Sequence, residues 1–209
     1  MLKIGIITMA LFGFLQAGWL SNLFDAIPTP PITKFIDLSK AGSRVEFTTR
    51  ISKEHISAYK GRPYYIWLEF IYDNKLVKNG IWDSAIASKI AGYGYYPRNG
   101  QRICDKEFAI RDLTEHGVKV DDNYDCFGTV VTLHVVIYKI NKDETQTKII
   151  DKIYKTKGTV GGWLNHMQRV VDRYHLSPGK YKIIVTNMEA IKEMKDRKAD
   201  IRFGRSGTK

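Results

Sequence analysis

The stretch Phe127-Gly-Thr-Val-Val-Thr-Leu-His-Val-Val-Ile-Tyr-Lys-Ile140 gives the strongest strand pattern in the chain. It is dense in β-branched and aromatic residues, which pack well on a pleated surface. Asn141-Lys-Asp143 follows as a turn, and residues 149–154 form a second β-like run that can pair back as a hairpin. This stretch therefore predicts that the core of the protein is a β-sheet.

The rest of the chain extends the same pattern. Further strands are predicted at 34–38, 44–51, 64–72, 176–186 and 199–205, where apolar side chains alternate or follow turn residues. Residues 78–100 are rich in glycine and aromatic residues and predict a loop or irregular hairpin, whereas helices are predicted only at 163–173 and 188–195. Seven or more closely spaced strands favour a mostly β fold, an antiparallel β-sandwich of immunoglobulin-like character with one or two short helices.

The N-terminus resembles an export signal. Residues 4–24 carry no charge, Lys3 precedes them, and a short apolar stretch at 9–15 is followed by the small residue Ala17. These features predict a signal peptide; a run of this length also fits an uncleaved inner-membrane anchor, and a buried core helix is the third alternative. The predicted organisation is a targeting helix at 1–26, a proline-rich linker at 27–32 and one sandwich domain at 33–209, in a periplasmic or secreted protein that is anchored by residues 4–24 if the segment is retained.

The two cysteines agree with export. Cys104 and Cys126 are the only cysteines, and both lie in the part predicted to be exported. An even pair in an oxidising compartment predicts a disulfide. Two free buried thiols are the alternative, while a metal site needs more ligands than this pair supplies.

The chain is basic, with 33 Lys and Arg against 22 Asp and Glu and a net charge of +11. The cations are spread along the whole chain and form no continuous Lys/Arg run. We therefore expect no nucleic-acid partner, and we expect membrane contact only through the N-terminal segment. A basic surface of this kind suits an acidic protein, an anionic surface ligand or simple solubility.

A second group of residues resembles a known family. The phrase Leu176-Ser-Pro-Gly-Lys-Tyr-Lys-Ile-Ile-Val185, the preceding Arg169 and the aromatic strand at 64–72 resemble an uncharacterised family of bacterial envelope β-sandwich domains, a domain of unknown function, over residues 33–205. The resemblance implies no catalytic residues. It implies a role in envelope maintenance or in immunity to an antibacterial toxin.

Motifs for catalysis and metal binding are incomplete. The five histidines lack ligand spacing. Asp121-x-Asn123-x-Asp125 opens like a calcium loop, but Cys126 and Thr132 stand where glycine and glutamate are needed. Ser57-x-x-Lys60 lacks the partner motifs of penicillin-recognising enzymes. We therefore predict no cofactor, no metal and no catalytic residue.

The best candidates for a binding site are aromatic, basic and acidic residues in predicted loops, because Tyr, Trp and Arg are enriched at binding hot spots. The predicted contact residues are Trp82, Tyr93, Tyr95, Tyr96, Arg98 and Arg102, with Asp121, Asp122 and Asp125 offering opposite charge to a basic partner. We expect a non-enzymatic envelope binding protein whose partner is another protein, a toxin or an envelope component. Its most concrete form is an immunity protein against a toxin delivered by a contact-dependent secretion system. The alternatives are an envelope hydrolase with dispersed carboxylates and a structural or adhesive subunit.

Overall fold

The computed structural model describes residues 28–53, 62–73, 75–78, 80–93, 103–121, 123–163 and 165–205. The predicted targeting segment therefore lies outside the described residues. The strands are β1 (Ile32–Ile36), β2 (Arg44–Ile51), β3 (Tyr64–Ile71), β4 (Val77–Lys78), β5 (Ile81–Trp82), β6 (Val131–Ile140), β7 (Gln146–Thr156), β8 (Gly161–Trp163), β9 (His166–Tyr174), β10 (Gly179–Asn187) and β11 (Lys198–Arg205). The helices are α1 (Asp83–Ala91) and α2 (Lys106–Glu115), with a single 3₁₀ turn at Lys192–Met194.

Nine of these strands form two antiparallel sheets that pack face to face, while β4 and β5 pair only with each other. Sheet A has five strands in the order β1-β11-β3-β9-β8, and sheet B has four in the order β2-β10-β6-β7. The prediction of a mostly β antiparallel sandwich is confirmed. The quoted stretch at 127–140 supplies β6, which pairs with β7 as the expected hairpin and with β10 on its other side.

The core lies between the sheets because alternate residues of each strand point inward. On β3 the inward side chains are Tyr64, Ile66, Leu68 and Phe70, all of them buried. Sheet B contributes fully buried residues of β6 and β10 to the same core, namely Leu133, Val135, Ile137, Ile183 and Val185. This is the period-of-two pattern that the sequence predicts.

The described residues between β3 and β6, namely 72–73, 75–78, 80–93, 103–121 and 123–130, leave the sandwich and form what we term the cap. The cap contains the β4–β5 hairpin, both helices and a small second core that includes Ala109, Leu113 and Tyr124. The disulfide joins Cys104 to Cys126 within it, with 6.2 Å between the two Cα atoms. The predicted disulfide is thus present.

Three local predictions are wrong. Residue 163 ends β8 and residues 166–173 lie in β9 instead of a helix, because β9 pairs with β3 on one side and with β8 on the other. Residues 188–195 contain only the 3₁₀ turn, and the predicted loop at 78–100 includes α1. The α1 segment DSAIASKIA is rich in alanine, begins with an acidic residue and stops at Gly92, all of which favour a helix. None of the described helices has both the length and the apolar character required to cross a membrane.

Candidate functional site

Arg169 anchors the cap to the sandwich. This arginine lies on β9, points inward and is 0% exposed. Its guanidinium donates to the carbonyl oxygens of Ile90 and Ala91 at the end of α1, to that of Thr129 at 2.6 Å and to that of Thr156 at 3.2 Å. Three separate segments, namely α1, the return of the cap into β6 and the end of β7, therefore meet at one side chain.

Arg169 is held without a carboxylate partner within the described ranges. Its charge faces the negative end of the α1 dipole and lies 5.0 Å from the centre of the Phe70 ring. Burial lowers the pKa of Arg169 to about 9, which still leaves the guanidinium charged at neutral pH. The side chain therefore serves as a fixed cationic clamp.

The other end of α1 is held by an ion pair. Asp83, the first residue of the helix, accepts from the backbone N–H of Asp73 at 3.0 Å, and its other carboxylate oxygen lies 3.0 Å from Nε of Arg197. Both side chains are largely buried. A carboxylate in the first turn also complements the helix dipole. Both ends of α1 are therefore tied to the sandwich.

The second helix of the cap is held by the disulfide and by its own N-cap. The carboxylate of Asp105 accepts from the backbone N–H of Phe108 at 2.9 Å, a standard capping contact. Cys104 immediately precedes the N-cap residue Asp105, and Cys126 lies in the second core. The disulfide therefore ties the start of α2 to the return segment of the cap.

The cap exposes large apolar side chains. Within the described ranges ten such side chains are exposed, and five of them belong to the cap: Val77, Trp82, Ile103, Phe108 and Val130. Trp82 is 39% exposed, pairs with Val77 across the β4–β5 hairpin and contacts His116 edge-on. Phe108 is 46% exposed and lies 5.7 Å from the guanidinium of Arg111. Trp, Phe and Arg presented on fixed backbone are typical of protein-contact surfaces.

The predicted contact residues Trp82 and Tyr93 do not lie together. They flank the nine-residue helix α1, so they are roughly 14 Å apart along its axis. Tyr93 is half-buried in the second core, and its hydroxyl donates to Asp112 at 2.5 Å. Burial, and then the Asp112 carboxylate, raise the pKa of the Tyr93 phenol. Trp82 therefore remains a surface candidate, whereas Tyr93 supports the interior of the cap.

The acidic candidates lie near the disulfide. Asp121 is exposed and its carbonyl accepts from the N–H of Tyr124, while Asp125 forms an ion pair with Lys157 at the end of β7. Asp125 thereby links the cap to sheet B. The remaining predicted contact residues, Tyr95, Tyr96, Arg98, Arg102 and Asp122, lie outside the described residues.

A polar cluster on the outer face of sheet A was not predicted. Glu69 is the only charged residue of β3, yet it is 5% exposed. Its carboxylate accepts from Gln168 of β9 at 2.6 Å and from Arg202 of β11 at 3.3 Å. The signal in the sequence was a lone glutamate in an apolar strand, because a buried carboxylate needs partners.

Asp200 lies beside Glu69, since the two residues pair directly across β11 and β3. Burial raises the pKa of Asp200 and the charge of Glu69 raises it further, whereas His166 and Lys198 act in the opposite direction. The outer face of sheet A thus holds two neighbouring carboxylates. Clefts of about 790 Å³ and 770 Å³ share residues 196–198, but neither Glu69 nor Asp200 lines them.

A family model described as "Domain of unknown function (DUF5625)" matches residues 33–205. The chain belongs to the DUF5625 family. This match confirms the resemblance inferred from Arg169, the 64–72 strand and the phrase at 176–185. It begins within β1 and ends with the last residue of β11, so the cap and its clamp are part of the DUF5625 domain.

The DUF5625 chain is also similar to a solved structure. A crystal structure of a protein from Sulfurospirillum deleyianum is 34% identical, with a TM-score of 0.70, over 87% of this chain and 100% of that chain. No curated protein matches the chain.

Across the residues that the structure describes, no three His, Cys, Asp or Glu side chains come close enough to hold a metal ion. His134, on the strongest strand, instead contacts Asp151 of β7 at 2.6 Å.

Proposed function

We propose that this DUF5625 protein is a non-enzymatic binding module of the bacterial envelope that engages another protein through its cap. The observation that carries the proposal is the presentation of Trp82 and Phe108, both substantially exposed, on a unit tied down at several points. Exposed aromatic residues next to arginine supply much of the free energy at protein interfaces. The sandwich provides the scaffold and the cap provides the contact.

Rigidity of the cap supports this role. Arg169 holds one end of α1, Asp83 and Arg197 hold the other, and the disulfide fixes α2. A contact surface that is already ordered loses less conformational entropy on binding. A preorganised cap therefore favours tight association with a single partner.

Two observations support the compartment in this proposal. Residues 4–24 are uncharged and suit an export signal or an anchor, and the disulfide is typical of proteins in oxidising compartments. Both observations support our proposal that the protein acts in the periplasm or outside the cell. In its most concrete form it is an immunity protein that binds a toxin delivered by a contact-dependent secretion system.

Co-expression and direct binding test this proposal. The proteins encoded beside this gene are expressed in the periplasm, with and without the DUF5625 protein, and complexes are measured with purified components. Trp82→Ala and Phe108→Ala are expected to weaken the complex by about 2 kcal/mol each, roughly thirtyfold, and to reduce rescue from a toxic neighbour. Ile149→Ala and Ile153→Ala are the matched controls, because both side chains are exposed on strand β7 of the sandwich, at 40% and 55%.

The comparison distinguishes binding through the cap from non-specific association through any exposed apolar side chain. Loss in the cap variants alone, with unchanged melting temperatures, supports the proposal. Equal loss in the two control variants, or the absence of both a partner and rescue among the neighbouring gene products, overturns it.

A second candidate, an envelope hydrolase, is favoured by one observation. Asp200 has a raised pKa and pairs across the strands with the carboxylate of Glu69, and neighbouring carboxylates of which one holds its proton are typical of general acid catalysis. In that case Asp200→Asn abolishes turnover of envelope glycans and leaves the cap-mediated complex intact. A complex that forms without any glycan turnover by the unaltered protein removes this candidate.

A further inference from the structure

The cleft of about 790 Å³ at the edge of sheet A has an unbalanced charge. It opens beside β1, the turn after β1 and the segment that leads from the 3₁₀ turn into β11. Its lining includes five cations, Lys40, Lys192, Lys195, Arg197 and Lys198, but only two carboxylates, Asp37 and Asp196. Its volume is within the range of small-molecule sites.

Two of the five cations are already neutralised. Lys40 lies 3.1 Å from the carboxylate of Asp37, and Arg197 lies 3.0 Å from that of Asp83. These pairs hold the walls of the cleft in place. The other three cations of the cleft are lysines that take no part in these two ion pairs.

Lys192, Lys195 and Lys198 make no ion pair within the described ranges. They recur every third residue: Lys192 begins the 3₁₀ turn, Lys195 caps its end with a backbone hydrogen bond to the carbonyl of Lys192, and Lys198 begins β11. Asp196 offsets one charge, and Asp200 offsets part of the charge of Lys198. The cleft therefore keeps a surplus of between one and two positive charges.

An aromatic wall stands beside this surplus. Phe35 lines the cleft from the edge strand β1 and is 55% exposed. The exposed apolar ring of Phe35 lies next to lysines without an ion-pair partner among the described residues. This arrangement suits an anionic ligand whose apolar part packs on the ring while its negative charge contacts the lysines. Lysines that only keep the surface soluble would not need an exposed aromatic ring beside them.

We propose that this cleft binds a phosphate group attached to an apolar or aromatic moiety. A phosphate monoester carries about −1.5 to −2 charges at neutral pH, which matches the surplus left by Lys192, Lys195 and Lys198. The lysine ammonium groups donate to the phosphate oxygens, and the apolar moiety packs against Phe35. This site lies on the sandwich and is independent of the partner surface on the cap.

Titration of the exported protein with defined probes tests the site. Inorganic phosphate, phenyl phosphate, and vesicles of phosphatidylcholine with or without phosphatidic acid distinguish a soluble phosphate from a lipid head group. The variant K192A/K195A/K198A is compared with K148A/K152A/K155A, which removes three charges from the exposed strand β7. We expect the cleft variant to lose at least tenfold in affinity for the probe that binds, and the β7 variant to keep the affinity of the unaltered protein.

Phe35→Ala tests the aromatic wall separately. It is expected to remove the preference for phenyl phosphate over inorganic phosphate while leaving the weaker phosphate binding unchanged. Binding of phenyl phosphate without vesicle binding assigns a soluble ligand, and vesicle binding that needs both phosphatidic acid and the three lysines assigns a lipid. Equal losses in the two triple variants, or no binding of any phosphate-bearing probe, overturn the proposal.

Discussion

Arg169 donates twice to the carbonyl oxygen of Ala91, through Nε at 3.1 Å and through Nη2 at 2.7 Å. One residue belongs to a central part of the sandwich and the other closes the first helix of the cap. A buried cation is costly unless it is fully hydrogen-bonded, and here backbone carbonyls replace a carboxylate. The attachment of the cap thus depends on a charged side chain that no hydrophobic residue can replace.

We expect Arg169→Lys to lower the free energy of unfolding by about 3 kcal/mol. A lysine ammonium group cannot contact carbonyls from three segments at once, because it lacks the broad planar fork of the guanidinium. Arg173→Lys, on the same strand but exposed, is the control and is expected to have little effect. Urea denaturation measures both, and equal stability of the two variants would show that the clamp is unimportant.

Gly92 and Gly128 permit the close contact between the two ends of the cap. Both have positive φ angles, +88° and +76°, and a Cβ on either would overlap backbone atoms of the opposite segment. We expect Gly92→Ala to destabilise the protein by about 3 kcal/mol, from the clash and the unfavourable φ together. Gly42→Ala is the control, since its φ is +78° with open space around it, and it should cost only about 1 kcal/mol. Similar melting temperatures for the two variants would contradict the contact.

Removal of the disulfide is expected to loosen the cap before the sandwich. Cys104 and Cys126 are 22 residues apart, so closing this loop contributes about 3 kcal/mol in the chain-entropy model. In C104S/C126S we expect amide protection to fall first around Leu113 and Tyr124, which lie in the second core. Hydrogen exchange measures this, and a reductant should not change the double variant further. Uniform loss of protection across β6 and β10 would instead show that cap and sandwich unfold as one unit.

Asp200 predicts an unusual pH dependence. Its pKa is raised in the folded protein by burial and then by Glu69, so the folded state binds this proton more tightly than the unfolded chain does. Ionised Asp200 therefore lowers stability at neutral pH, and this penalty disappears as pH falls through the raised pKa toward 3.8. We expect Asp200→Asn to be more stable than the unaltered protein at neutral pH, with the difference shrinking on acidification.

Asp151→Asn provides a control of opposite sign. Lys148 and then His134 lower the pKa of Asp151, so its stabilising contribution is present above the unfolded value and is lost as pH falls through the folded pKa. This variant should be slightly less stable than the unaltered protein at neutral pH and equal to it in acid. Denaturation midpoints across the acidic range test both, and parallel curves for the two variants would refute the assignment.

The strands were largely predictable because their information is local. The alternation of apolar and polar residues at 44–51 predicts a strand with one buried face, and it forms β2. The apolar run at 127–140 predicts a buried strand, and its residues Val131–Ile140 form β6. The error at 163–173 has a physical cause: β9 reads HMQRVVDRY, which fits a helix or a strand equally well. Pairing with β3 decided between them, and no local pattern contains that information.

The candidate site was predicted only in part. Trp82 proved exposed, but Tyr93 supports the interior of the cap and Asp125 forms an ion pair with Lys157. The polar cluster on the outer face of sheet A was not predicted because Glu69 is distant in sequence from Asp200 and Arg202 and meets them only through strand register. The lysines of the cleft meet Phe35 for the same reason, since β1 pairs with β11.

The sequence by itself determined the β class, the two cysteines that can be joined and the export-like N-terminus, because each depends on residue types at short spacing. Only the tertiary structure decided that Arg169 would be a buried clamp, that the segment after β3 would become a helical cap, and that Glu69 would face Asp200. These features depend on which strands become neighbours. That choice is made by the burial of the whole apolar surface rather than by any one segment.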